Sequence, residues 1–389
     1  MEGLDDLLLV SALPGYLRAA RLAEDRLEDL VVLRDDRPQL QGNLYLGRVT
    51  GLDRGLEAAF VDIGLGAPGF LPFDRAGRRP VEGESLVVAV QREASEAKGV
   101  RLTTRIPAAE RGAAEAEAPA LLHRAADPLQ RLLAGPPPAR VLVDGPEALA
   151  ALEGCAGLPA PERHQGRTTL FEAQGLAEEV EALLDPRVPL PGGGSLLIEP
   201  TRALVAVDVN AGAGRAGDAA KLALEVDLEA AEALARQLRL RNLAGLVVVD
   251  FLELKPRERR QEVVRRLRRH LKRDPQAGQV RPMSDSGLVE LTRRRSGPAL
   301  FELLTRPCGL HGSGRAWDPA VLAWELLLRL RHGARGRAAA PRILCSPAVA
   351  AAFAGPAEAA RRSVEADLGQ ALILQAEPDR ADDSAEVVL

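Results

Sequence analysis

Asp208 and Asp250 each close an apolar run, LVAVDVN over 204–210 and LVVVDF over 246–251. Both runs are short and rich in β-branched residues, which reads as buried strand. Side chains alternate along a strand, so Asp208 and Asn210 share one face while Val207 and Val209 turn to the other. With the second run beside the first, Asp250 joins them, and one sheet edge offers two carboxylates and an amide. Hard oxygen donors of this kind suit Mg²⁺ or Mn²⁺. An aspartate at a strand end is also an ordinary turn former or helix cap. The pattern alone leaves both readings open, although two carboxylates side by side without a cation cost repulsion and desolvation.

Three long blocks carry these residues: SLLIEPTRALVAVDVNAG (195–212), DLEAAEALARQLRLRNLAGLVVVDFLELK (227–255) and SDSGLVELTRRR (284–295). Together they resemble the catalytic half of the ribonuclease E/G family. The resemblance implies an endoribonuclease for single-stranded RNA, acting in ribosomal or transfer RNA processing or in messenger RNA decay. Asp208 and Asp250 would hold one Mg²⁺, and Asn210 would orient the attacking water or a metal ligand. Such an ion polarises the scissile phosphate and helps to generate the nucleophile. The implied products carry a 5′-phosphate and a 3′-hydroxyl.

Residues 41–104 contain short strand-like pieces broken by Gly and Pro, which suits a small all-β barrel. The strings GNLYLGRVTGLDRGLEAAFVDIG (42–64) and GFLPF (69–73) resemble the OB-fold RNA-binding domain of the same family. In that domain two phenylalanines and a lysine contact single-stranded RNA, and the matching positions are Phe60, Phe70 and Lys98. Without the resemblance, barrel core is the favoured reading of either ring. Base stacking on an aromatic face tolerates any sequence, and a lysine adds a salt-sensitive phosphate contact.

After Leu102, Thr103 and Thr104 the chain departs from the family. Members continue with a segment of tens of residues that recognises a 5′-monophosphate, whereas this chain passes into Ala-, Glu- and Pro-rich sequence over 108–119. The Arg167-Thr168-Thr169 string precedes Leu170 and Phe171 and lies in the wrong block to replace that sensor. Cleavage is therefore expected to be indifferent to the phosphorylation state of the RNA end.

Between Asp218 and Arg241, apolar residues recur at three- and four-residue steps, marking an amphipathic helix with Asp218 as a plausible cap. Beyond Pro256 comes a second helix in which nine Lys or Arg residues face two Glu between Arg257 and Arg273. Such a run is usually a solvated face, with RNA backbone contact as the alternative next to a nuclease site. Among Arg293, Arg294 and Arg295 at least one is expected to meet phosphate, with Arg293 and Arg294 taken as RNA-binding. The glycine-rich loop 210–217 is expected to approach substrate, with Arg215 supplying a positive charge.

The family's Cys-Pro-x-Cys zinc motif, shared between two protomers, is replaced here by Pro307-Cys308 and His311 ahead of Gly314. A Cys-x-x-His pair keeps two-ligand spacing, so a dimer would assemble a Cys₂His₂ Zn²⁺ site, or the loop is vestigial. The resemblance also implies a homodimer, and it leaves no room here for the scaffold tail on which larger members recruit degradosome partners.

The chain has 389 residues, 46% of them hydrophobic and only 3% aromatic, with a net charge of −4. These values fit a multidomain globular protein and exclude one that binds nucleic acid through bulk charge. No apolar run approaches ~18 residues and the first residues lack a basic signal start, so no membrane association is expected and a cytoplasmic location is. Three scattered cysteines fit a reducing compartment.

The expected architecture is multidomain α+β. The resemblance implies an RNase H-like supporting domain assembled from 1–38 and the latter part of 107–194, whose first part is linker. An OB-fold barrel covers 39–106, a DNase I-like α/β catalytic domain 195–305, a zinc-link-like loop 306–316 and a small α/β C-terminal domain 317–389. A noncatalytic RNA-binding protein and a small-molecule phosphohydrolase remain as alternatives. The first leaves the paired aspartates without purpose and the second leaves the barrel without one.

Overall fold

The computed structural model describes residues 6–93, 99–106, 117–212, 219–308, 314–334, 336 and 340–388. The chain divides into two compact units. One comprises Met1–Arg37, Leu132–Arg295 and Ala299–Leu389, and the other Pro38–Arg131 with Ser296–Pro298.

The chain opens on an antiparallel meander of β1 (Leu7–Leu13), β2 (Tyr16–Ala23) and β3 (Arg26–Arg34). Glu24 and Asp25 both take positive φ in the two-residue β2–β3 turn, which matches the right-handed twist of the strands it joins.

The second unit follows, with β4 (Leu44–Asp53), β5 (Ala58–Asp62), β6 (Gly69–Pro72), β7 (Ser85–Arg92) and β8 (Arg101–Thr103). The pairings run β4–β5–β6–β8–β7 and return to β4, so the five strands close into a barrel, with β6 and β8 parallel and the rest antiparallel. This closure is consistent with an OB-fold. Tyr45, Val49, Val61, Leu71, Val88 and Leu102 fill its interior. A further strand, β9 (Ala120–His123), pairs with β4, and α1 (Pro128–Leu133) follows. The unit thus runs past the 39–106 read from sequence, because β4 is long enough to hold three neighbours.

Back in the first unit, β10 (Arg140–Asp144) pairs parallel to β1, then come α2 (Pro146–Leu152) and β11 (Glu162–Arg163), giving the sheet order β11-β10-β1-β2-β3. Two short helices, α3 (Leu170–Ala173) and α4 (Leu176–Ala182), lead into a six-stranded layer. Its elements are β12 (Arg187–Pro189), β13 (Ser195–Pro200), β14 (Val205–Asn210), α5 (Ala219–Leu240), β15 (Gly245–Asp250), α6 (Arg257–Leu271), β16 (Ala277–Val280) and β17 (Leu288–Arg293). The sheet order is β12-β13-β14-β15-β17-β16. Only β14 and β15 run parallel, as the α5 crossover between them requires. Valines 205, 207, 209, 247, 249 and 289 face α5 and α6 in a shared core, so one face of the sheet is covered and the alternate residues lie on the other.

The chain ends with α7 (Leu300–Leu304), the hairpin β18 (Thr305–Pro307) and β19 (Arg315–Trp317), α8 (Pro319–Gly333), β20 (Arg342–Cys345), α9 (Pro347–Ala354), α10 (Glu358–Leu368), β21 (Ile373–Ala376) and β22 (Ala385–Val388). Helix α8 is buried along most of its length, with Trp324 stacked on Tyr16 at 5.1 Å, so this segment shares a core with the opening meander. Arg331 and His332 enter the same core because each finds acceptors there. Arg331 donates to the Ala12 carbonyl, and His332 lies 2.7 Å from Asp144. Among the described residues no helix is long and apolar enough to cross a membrane.

Candidate active site and RNA-contact surface

Asp208 and Asp250 are register partners on the parallel strands β14 and β15, and both are exposed on the face opposite the helices. They lie at the carboxyl ends of these strands, where open α/β sheets present ligand sites. The Asn210 amide donates from Nδ2 to Asp208 Oδ2 at 2.7 Å, and so fixes one carboxylate. No cation from the described residues pairs with either aspartate. The donor set therefore fits a hard divalent ion. No group of three or more His, Cys, Asp or Glu forms a cage among the described residues. Two carboxylates with the remaining positions left to water and substrate is a common arrangement for Mg²⁺.

Backbone geometry tightens this edge. Gly287, at φ +89°, opens the strand that pairs with β15, and a Cβ there would stand 2.8 Å from the Phe251 carbonyl and 3.9 Å from Asp250 Oδ1. Only glycine combines that conformation with that approach. On the helix side, Asp227 of α5 accepts a hydrogen bond from the Leu252 N–H at 3.0 Å and so holds the chain just after Asp250. Asp227 was not singled out in the sequence, yet it falls on the buried stripe with Ala231, Leu234 and Leu238, where a carboxylate is out of place.

Burial pushes the Asp227 carboxyl up to about 7, the Leu252 hydrogen bond pulling the other way, and its Oδ2 is buried without a partner. With a folded pKa above the ordinary 3.8, the native state holds a proton that the unfolded chain has already released between those values. Stability contributed by this group therefore falls as pH rises through that window, and the whole deficit is present above it. Asp227→Asn keeps an acceptor for Leu252 and removes the charge. It should raise stability at pH 8 by roughly 2 kcal/mol and have little effect at pH 4, as read by denaturant melts at both pH values. An equal shift at both would mean that ionisation is not the cause.

In the barrel unit, Phe60 on β5 and Phe70 on β6 are register partners, with ring centroids 6.2 Å apart in an edge-to-face arrangement. Their neighbours Ala59, Val61 and Leu71 belong to the interior, so alternation turns both rings to the outer face, where they are half-buried. Arg101 on β8 pairs with Phe70 and extends the row, its Nε buried without a hydrogen-bond partner. This arginine was missed, although Leu102 beside it in the core signals which way it turns. Phe70→Ala should weaken binding of single-stranded RNA by about 1–3 kcal/mol while leaving the barrel folded. Anisotropy titration of a labelled oligonucleotide checks this, and unchanged affinity would return the ring to a packing role.

The arginines at the end of β17 divide. Arg293, expected to meet phosphate, is instead buried. It bonds Asp274 through Nε at 2.7 Å, and Asn242 and the Leu243 carbonyl through Nη1 at 2.8 and 3.1 Å. Its charge is thereby spent inside the protein, which corrects the RNA-binding assignment. Arg294 is exposed, with one bond to the Pro275 carbonyl. Cys308 lies just after β18, its N–H bonded to the Gly314 carbonyl. Lys98, Arg215 and His311 lie outside the described residues.

Fold and site together define a multidomain α+β protein with an acid-bearing sheet edge and a small closed barrel. The model of the ribonuclease E/G family matches residues 89–296, and the chain belongs to that family. Among curated relatives it is 29% identical to ribonuclease E of Haemophilus influenzae, an alignment covering 82% of this chain and 45% of that protein. It is 27% identical to ribonuclease G of Escherichia coli, over 98% of this chain and 99% of that protein. It is also 39% identical to the chloroplastic ribonuclease E/G-like protein of Arabidopsis thaliana, over 40% of this chain and 16% of that one. The chain thus spans less than half the length of the ribonuclease E proteins it matches.

Proposed function

We propose that the protein is a Mg²⁺-dependent endoribonuclease that cuts single-stranded RNA and leaves 5′-phosphate and 3′-hydroxyl ends. The observation that carries this reading is the in-register pair Asp208 and Asp250, exposed side by side with no basic side chain paired to them among the described residues, with Asn210 bonded to Asp208. Family membership supplies the class of substrate. In this reading the β12–β17 layer is a DNase I-like catalytic domain, and the sheet of β1–β3 with β10 and β11 is an RNase H-like support.

Asp208 and Asp250 would hold a divalent ion, which would supply Lewis acidity at the scissile phosphate. Asn210, with its amide N–H donated to Asp208, keeps its carbonyl oxygen to accept a hydrogen bond from the attacking water and so aim the oxygen lone pair. The Asp227 bond to Leu252 and the close approach of Gly287 limit the freedom of the Asp250 backbone. Such preorganisation is where electrostatic catalysis gains most. Phe60 and Phe70 hold unstacked bases without selecting sequence.

We also propose that cleavage does not depend on 5′-end phosphorylation. The alignment with ribonuclease G extends over 490 positions, more than the 389 residues of this chain, so that relative carries segments with no counterpart here. The test is cleavage of a fluorescent single-stranded A/U-rich RNA in Mg²⁺ and in EDTA, with 5′-hydroxyl and 5′-monophosphate ends. Cutting that requires Mg²⁺ and is equal on both ends is expected. Binding without cutting would make the protein a noncatalytic RNA binder, and several-fold faster cutting of the monophosphate would refute the end-independence.

A further inference from the structure

Helix α6 and the segment that follows β16 enclose a groove of about 560 Å³ whose wall is arginine: Arg257, Arg260, Arg265 and Arg268, against the single acid Asp285. All four line the groove from one broad face of the helix, over about 16 Å at 1.5 Å per residue. Two of them are held in place, Arg260 by Asp285 at 2.6 Å and Arg268 by the Val280 carbonyl at 2.6 Å. Arg257 and Arg265 are exposed and have no hydrogen-bond or ion-pair partner among the described residues. Uncompensated like charges lined along a concave wall raise a local positive potential even in a chain of net charge −4.

This stripe meets the candidate active edge at the N-terminal end of α6, from both walls of the groove. Arg257 begins the helix six residues after Phe251, and Asp285 stands two residues before Gly287, whose carbonyl accepts the Phe251 N–H at 3.3 Å. A lone phosphate would engage one or two of the four guanidinium groups. A stacked strand, at about 3.4 Å per residue, can meet all of them in succession. Guanidinium forks match phosphate oxygens in pairs, and Met283 in the lining adds an apolar surface for a ribose or base edge.

We propose that this groove is a second contact for the RNA, taking the phosphodiester backbone on one side of the scissile bond as it leaves the edge that carries Asp250. The inference rests on the endoribonuclease reading above and adds to it a binding track that neither the aspartates nor the barrel rings supply. Because the contacts are with phosphate, they strengthen binding of any sequence and are sensitive to salt.

The experiment compares wild type with the double variant Arg257→Gln, Arg265→Gln. Anisotropy of a labelled single-stranded U-rich RNA is followed across a salt series in EDTA, where no cutting occurs. A control removes the same charge from exposed arginines elsewhere, Arg163→Gln with Arg342→Gln. The groove variant should bind about tenfold more weakly at moderate salt, and its log–log salt slope should be shallower by about 1.4, which is two phosphate contacts on a single strand. The control should keep the wild-type slope. If wild type cuts RNA in Mg²⁺ while the groove variant keeps the wild-type slope, or the control loses as much, the groove inference fails and the nuclease reading stands. If wild type neither binds nor cuts RNA, the reading beneath it fails as well. An acidic protein as the true occupant would show as wild-type RNA binding by the groove variant.

Discussion

Asp250→Asn should lower the rate of RNA cleavage in Mg²⁺ by about 10³-fold while RNA affinity measured in EDTA changes little. The substitution removes one of two anionic donors from an in-register pair, and an amide oxygen is a poor replacement for a carboxylate in holding a divalent cation. Asp208→Asn should do the same, with the added loss of the charge that Asn210 is bonded to. Neither change should harm folding. Both side chains are exposed, and removing one of two adjacent negative charges relieves repulsion. The variants should therefore melt at or above the wild-type temperature. Paired cleavage assays and melts decide the matter. An Asp250→Asn protein that cuts within tenfold of wild type would dismiss this edge as the catalytic centre, and one that unfolds would show that the carboxylate has a structural role.

Arg293→Ala should act in the opposite way, costing about 3–5 kcal/mol of stability. The guanidinium lies at the end of β17 and reaches the turn after α6 through Asp274, and the turn after α5 through Asn242 and Leu243. One buried side chain thus ties both helices to the sheet they cover. Its removal leaves Asp274, itself buried, without its partner. Arg293→Met, which fills the space, also abandons Asp274, whereas Arg293→Met with Asp274→Leu should recover most of the loss. Urea unfolding of the three variants checks this. A wild-type midpoint for Arg293→Ala would show that the ion pair is dispensable and would reopen Arg293 as a surface contact.

How much was legible in the sequence is seen best where one rule succeeded and then went unused. Period-two alternation placed Asp208 and Asn210 opposite Val207 and Val209. The same rule puts Arg293 on the inward face with Val289 and Leu291, but three arginines in a row read as a surface feature and hid the parity. The partner that makes burial tolerable, Asp274, is nineteen residues away and follows a different element, so no local pattern connects them. The barrel strands were legible as short runs broken by Gly and Pro, but the same parity was not applied to Phe60 and Phe70, which only the resemblance set apart from barrel core. That β9 would return to flank β4 was not legible, because pairing to a long strand is decided by closure of the whole unit rather than by the four residues of β9. The basic stripe on α6 was legible as charge. Its concavity was not, since the other wall comes from residues 282–285.

The register of β14 against β15 sets the two carboxylates apart by one rung of the backbone ladder, and no core side chain determines that spacing. The distance is thus a property of the peptide group, the same in any pair of parallel strands. The valine layer beneath can change in volume, and helix α5 in length or sequence, without altering the gap between the aspartates. Insertion of one residue inside either strand, by contrast, would turn its acid to the opposite side. This kind of centre can drift widely in composition while its chemistry stays put, provided that the count of residues within those two short segments is preserved.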